Sequence, residues 1–362
     1  MKKKSHILIL LLLFTNISFA QQNEINIKAT LNTNTNSLKV QQEIIYYNNS
    51  KETLNHIFLH NWANSFKDRK TPLSKRFIED FRKDLYFAKE EDLGFSEVKN
   101  ISINYNNITY KELKSRKDII QVFLKNAIKP NESVTINITY IIKIPNAKYT
   151  GYGFYKNGYR LRYWYITPAI YNQGWQLMSN LNLDDLFEDY TTFNIELKIP
   201  KQLYLTGSLK QIKKSSKTEN SFHLYGKNEK DVLVDIQKIN TFKKFNTDTH
   251  EIQTNILEEE ISISLTENLL NRELHFLTAY LGVLPINKIL IDEVMRNKNP
   301  VYGLNQLPSF IRPFSDVFSH DLTLFKALSR KYLKQTLLLN ERKDYLLLAL
   351  NSQKKQHLCY LY

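Results

Sequence analysis

The chain has 362 residues, a formal net charge of +14 and a single cysteine, Cys359. That length allows two or three domains and a sizeable core, while one cysteine excludes an intramolecular disulfide and a cysteine-built zinc site. The cations are scattered among acids, which argues against the clustered basic face that nucleic-acid binding needs and favours a basic protein of an envelope compartment.

In chain order, the first segment reads as a secretory signal peptide. "MKKK" is a basic start, Ile7 to Phe14 is a short apolar run, and "SFA" ends in a small-residue cleavage site at Ala20. The apolar run is too short to span a bilayer. Residues 1–20 are therefore expected to leave on export to the periplasm or beyond, with no transmembrane segment. Three lysines leave with them, which brings +14 to +11.

From Ile25 to about Phe245, β-branched and aromatic residues recur at every second position. "INIKATLN", "SLKVQQEIIYY", "ISINYNNITY", "SVTINITYIIKI", "FNIELKIP" and "FHLYGKN" predict an antiparallel β region with one buried face. Ser74 to Asp92 carries apolar residues at helical spacing and predicts a surface helix between strands. Thr206 to Phe222 reads as a polar hairpin loop. After about Asp248 the period changes. Ser264 to Gly282 predicts a helix with capping residues at its start and Gly282 at its end. "KILIDEV" predicts a buried strand, and Ser319 to Asn340 a second helix. The tail, Leu346 to Tyr362, has no cap and no clear period.

Catalytic signals are sparse. The mature chain has histidines at 56, 60, 223, 250, 275, 320 and 357. An H-E-x-x-H zinc site needs two of them four apart on one helix face, with Glu as general base. His56 and His60 have that spacing, but "HIFLHN" reads as a strand, which would hold them roughly 13 Å apart. "HEIQT" at His250 and "HDLTL" at His320 lack the second histidine. The sequence has no G-x-S-x-G elbow and no glycine-rich phosphate loop. Glu258 to Glu260 reads as a solvated run.

Three stretches resemble the aminopeptidase N-like zinc metallopeptidases, the gluzincins, in order and spacing. They are "LNHIFLHNWANSF", then "LRYWYITPAIYNQGW" through "DYTTFNIELKIPKQLYLTGSL", then the helix "LLNRELHFLTAYLGVLPINKILIDEV". The resemblance covers roughly residues 25–345. It implies a multidomain β plus α/β fold. An N-terminal antiparallel β-sandwich or saddle domain (21–247) would precede a partial thermolysin-like, mainly helical, catalytic-type domain (248–362). The family's Gly-x-Met-Glu-Asn segment binds the substrate amine through Glu. "VYGLNQLPSF" stands in its place, which makes Gly303, Leu304, Asn305 and Gln306 the substrate-binding candidates. Gln306 would accept a hydrogen bond but carry no charge for an ammonium.

The "ERKD" turn, Glu341 to Asp344, resembles the turn after the family's zinc helix. Counting back from it puts Lys326, Ala327 and Arg330 on the H-E-x-x-H positions. Spacing would keep 326 and 330 on one helix face, yet protonated Lys and Arg have no lone pair for a metal. A third ligand would fall near Ala349. The family cofactor is zinc, and none is expected here. The resemblance therefore implies a non-catalytic member, a pseudopeptidase or truncated copy, with peptides as candidate partners. Two alternatives stand beside it. One is a secreted β-rich module binding peptide or glycan through the aromatic segment Tyr149 to Trp175. The other is an active zinc aminopeptidase with ligands not yet identified. A shortened helical domain would also leave helix faces uncovered and the region after 245 loosely packed.

Overall fold

A computed structural model describes residues 21–183, 185–298 and 300–336. The β-rich part begins with a hairpin, β1 (Asn23–Asn32) and β2 (Ser37–Tyr47), in which every second residue is buried. β3 (Leu54–His60) leads into a 3₁₀ turn at Trp62–Phe66 and a short helix, α1 (Pro72–Glu79). The strands β4 (Phe95–Ile103), β5 (Asn106–Asn107), β6 (Tyr110–Leu113), β7 (Arg116–Ile128) and β8 (Ser133–Lys143) follow. Next come β9 (Gly153–Tyr155), β10 (Gly158–Arg162) and the two-residue strands β11 (Thr167–Pro168), β12 (Ile170–Tyr171) and β13 (Trp175–Gln176). β14 (Thr191–Pro200), β15 (Tyr204–Gly207), β16 (Lys210–Ser215), β17 (Glu219–Glu229) and β18 (Leu233–Gln237) complete this part.

An eight-stranded sheet of order β16-β17-β14-β1-β2-β8-β4-β5 forms the outer layer. Two four-stranded sheets, β15-β18-β10-β9 and β11-β3-β7-β6, lie against it. The shared core includes Ile25, Ile44, Ile136 and Leu197 from the large sheet and Ile57, Leu161 and Val234 from the small ones. The alternation of the sequence thus resolves into one wet and one dry face per strand. One pairing departs from the antiparallel expectation, since β1 runs parallel to β14. A buried polar node ties the layers. Gln42 donates to the Ile166 carbonyl at 2.5 Å, accepts from the Ile166 N–H at 3.2 Å and accepts from the Tyr140 hydroxyl. Gln42→Leu would strand three polar groups away from water, and is expected to cost about 3 kcal/mol in a urea melt; a loss below about 1 kcal/mol would contradict that role.

Three local expectations are corrected. The helix expected over Ser74–Asp92 stops at Glu79, because Phe81 takes a left-handed φ of 59°. Thr71 caps its start by accepting from Ser74 N–H at 3.3 Å. Its Leu73 and Phe77 pack with Leu85 and Tyr149, so the apolar spacing continued through a turn rather than a helix. The polar hairpin loop of 206–222 is largely paired strand, with β16 against β17. β16 is an edge strand, and a lysine-rich edge needs no alternation. "ISINYNNITY" is a tight hairpin, turned by left-handed Asn104 and Tyr105.

The later part is not helical alone. It contains a three-stranded sheet of order β19-β20-β21: β19 (Lys243–Asn246), β20 (Glu251–Thr254) and β21 (Lys288–Ile291). Around it lie α2 (Ile263–Leu281), α3 (Glu293–Lys298) and α4 (Asp316–Thr336). β19, before residue 248, belongs to this sheet, and Phe245 joins its core with Leu270, Leu274, Leu277, Ile289, Phe325 and Leu328. Short β-branched segments of four residues gave too little pattern to read as strands. α2 is capped by Ser262, which accepts from Leu265 N–H at 3.2 Å, and ends at Gly282, whose φ is 84°. One face of α2 and of α4 is thus covered. Exposed apolar side chains concentrate instead between Tyr302 and Phe318, with Phe310 85% exposed. No described helix is long and apolar enough to cross a membrane.

Candidate functional site

The positions counted onto H-E-x-x-H lie on α4. Lys326, Ala327 and Arg330 line one cleft together with Thr323, Met295, Arg296 and Val301. The cleft offers about 10 Å³, room for about one water. Lys326 Nζ donates to the Pro300 carbonyl at 2.5 Å and stands 5.4 Å from the Tyr302 ring centroid. Ala327 is buried in the second core. Zinc does not fit this set: an ammonium, a methyl and a guanidinium present no lone pair to it. Among the described residues, no group of three His, Cys, Asp or Glu side chains could hold a metal.

Gly303, Leu304, Asn305 and Gln306 form a 3₁₀ turn. Gly303 has a φ of 82°, Leu304 is 56% exposed and Gln306 is exposed. Gly303, Leu304 and Gln306 do not line the α4 cleft. The "ERKD" turn, Ala349, His357 and Cys359 lie outside the described residues.

The histidines are dispersed. His60 is fully buried, stacks on Trp62 at 4.8 Å and accepts from Met178 N–H at 3.1 Å. Exposed His275 pairs with Asp248 at 2.9 Å. Burial lowers the pKa of His250 and His320. The rings of Tyr149, Tyr152, Tyr163, Trp164 and Tyr165 are buried. Tyr152, Tyr163 and Trp164 help wall a cavity of about 40 Å³, rimmed by Arg160, Arg162 and Lys298.

The densest ionisable cluster went unnoticed in the sequence. It forms where α4 meets the link between β17 and β18. Asp231 is buried there, and its Oδ2 accepts from Arg162 Nε at 2.8 Å and Nη2 at 2.6 Å. Lys331 reaches Oδ1 at 3.4 Å, and Lys334 stands 3.8 Å from Oδ2. Lys334 also donates to the Tyr163 hydroxyl at 2.8 Å, while Lys230 donates to the Lys334 carbonyl at 2.8 Å. Tyr190 donates to the Gln335 carbonyl at 2.8 Å.

Charge in this cluster is divided by environment. Although burial opposes ionisation of Asp231, Arg162, Lys331 and Lys334 together hold its pKa well below the usual carboxylate range. Burial pushes Glu188 and Glu229 up to about 8, and burial with Lys334 nearby brings Lys230 down to about 8. Neither Glu188 oxygen has a hydrogen-bond partner among the described residues. The one sequence signal was "KDVLVDIQ", where an acid opens an apolar strand. Nothing local says that residues 162, 331 and 334 meet it.

No known protein-family profile matches the sequence, and no curated protein matches it. Solved structures do. A glutamate-to-alanine variant of an M1 zinc metallopeptidase from Deinococcus radiodurans superposes with a TM-score of 0.50 at 12% identity, over 87% of this chain and 64% of that one. The fold resembles that of part of an M1 zinc metallopeptidase. Another structure of an M1 zinc metallopeptidase from Deinococcus radiodurans gives 0.46 at 10% identity, over 75% and 56%. The chain thus spans 64% of the length of the first of these M1 enzymes. In this M1-like fold the α4 cleft and the Asp231 cluster draw on different side chains of one helix. Lys326 and Arg330 serve the first; Lys331 and Lys334 serve the second.

Proposed function

We propose that this chain is an exported, aminopeptidase N-like protein that hydrolyses no peptide bond. One observation carries this reading: the cleft that joins positions 326, 327 and 330 holds a lysine, an alanine and an arginine. Those side chains can neither ligate zinc nor act as the general base. The lysine ammonium is instead engaged by the Pro300 carbonyl. The M1-like fold supports kinship with peptidases, and the signal-like N-terminus supports export.

The test is bound zinc per chain, measured on mature protein purified without added metal or chelator, beside bestatin-sensitive aminopeptidase activity. Near-zero zinc and no activity are expected. Zinc close to one per chain, or bestatin-sensitive turnover, overturns the reading. A gain of binding tests the positional match itself. Lys326→His with Ala327→Glu and Arg330→His is expected to raise zinc content above the parent, because two imidazoles one helical turn apart can share an ion. Unchanged zinc content in a folded variant would contradict the match.

A further inference from the structure

A second feature lies on the outer face of the eight-stranded sheet, away from α4. Strand register lines up polar side chains in two rows across four strands. Asn194, Asn26, Glu43 and Asn137 are successive partners in one row; Glu196, Lys28, Gln41 and Thr139 form the next. β17 extends the rows with Tyr225 and His223. The face is hollow, a depression of about 770 Å³ lined by these side chains other than Tyr225, with Ser221, Lys214 and Ile212. An ordinary solvated sheet face also alternates to polar residues, but it need not enclose such a volume.

The lining chemistry narrows the occupant. Lys28 and Lys214 balance Glu43 and Glu196, so the hollow selects neither a polyanion nor a polycation. Most remaining groups are amides and hydroxyls, which both donate and accept. Several are held by neighbours: Asn26 donates to Glu43 at 3.0 Å, and His223 bonds Asn194 at 2.5 Å. Asn137 Nδ2 is enclosed without a hydrogen-bond partner among the described residues. The rows belong to interior strands whose backbone groups pair with each other, so an added peptide strand could pair only at the β16 edge, outside the rows. Ile212, 63% exposed, lies in the lining, and Tyr225, 39% exposed, stands beside Asn194 just outside it, apolar surface suited to the C–H face of a sugar ring. Four strands span roughly 14 Å, the length of a short oligosaccharide.

We infer that this hollow binds a neutral oligosaccharide. Cello-, xylo-, malto- and chito-oligosaccharides serve as neutral probes in calorimetry on the full chain, with heparin and polylysine as charged probes. At least one neutral probe is expected to bind with a dissociation constant of about 1 mM or tighter. Added salt should leave that affinity unchanged. Asn26→Ala with Asn194→Ala should weaken it at least about tenfold without altering the melting temperature, since both are surface positions. Gln41→Trp, which fills the hollow, should abolish it. Binding of none of the neutral probes, salt-sensitive binding of the charged probes alone, or binding indifferent to these substitutions overturns the inference. Zinc content plays no part in the readout, so its failure is distinct from that of the non-peptidase reading.

Discussion

Asp231→Asn is expected to destabilise the protein by about 3–5 kcal/mol, the cost of breaking a buried ion pair from one side. The carboxylate is the shared partner of Arg162, Lys331 and Lys334. An amide of the same shape keeps the packing but removes the negative charge. Three cations would then face one another in a space with little water, and one amide oxygen would replace two anionic acceptors. The effect should localise. Lys331 and Lys334 join α4 to the β17–β18 link, so limited proteolysis should cut within α4 sooner in the variant than in the parent. A urea midpoint that moves by less than the equivalent of about 1 kcal/mol would show that the cluster contributes little. Asp231 has a lowered folded pKa, so its contribution is present above the unfolded value of 3.8 and lost as pH falls below it.

Thermal stability is expected to fall as pH rises from about 5 to 8. Glu188 and Glu229 keep their protons to about 8 in the folded chain, against 4.5 as the reference value. Asp235, pushed up by burial, keeps its proton to about 6. Between those limits the folded state binds more protons than the unfolded one, so raising the pH favours unfolding. His250 and His320 act in the opposite sense, since their lowered values give a gain as pH rises toward 6.5. Burial also raises Asp118, Asp189, Glu273 and Asp292, so the raised carboxyl groups outnumber the two histidines, and the glutamates have the wider window. Above 8 the sign reverses: Lys230 and Lys288, lowered to about 8 by burial, bind fewer protons folded than unfolded up to 10.5. A minimum near pH 8 follows, lower than the pH 5 melting point by on the order of 5 °C. Glu188→Gln with Glu229→Gln should flatten the fall. A double variant that keeps the parent's full slope would assign it to other groups.

The elements that were legible in the sequence are those whose signal is local. β1, β2, β8 and β14 announce themselves by alternation, and α2 by its apolar period and by Gly282, although its cap is Ser262 rather than a residue from Ser264 onward. Strands of four residues, such as β19 and β20, carry too few periods to separate from loop. The parallel pairing of β1 with β14 has no local signature at all, because neighbours in a sheet need not be neighbours in the chain. The same limit hid the Asp231 cluster: its members come from β10, the β17–β18 link and α4. The substrate-side candidates came from the resemblance alone, which put Gly303 to Gln306 in place of the family's amine-binding segment; the backbone forms a 3₁₀ turn there.

The parallel pairing has a kinetic consequence. β1 sits in the middle of the eight-stranded sheet, with Asn23 paired to Thr191, a partner 168 positions later. A chain emerging N-terminus first can close the β1–β2 hairpin at once. The large sheet cannot close until β14 and β17 have followed. Until then one edge of β1 and the dry faces of both early strands are open to wrong partners. Such non-local closure slows folding to milliseconds or longer. Productive folding of this protein is therefore expected to compete with aggregation in proportion to its concentration during refolding.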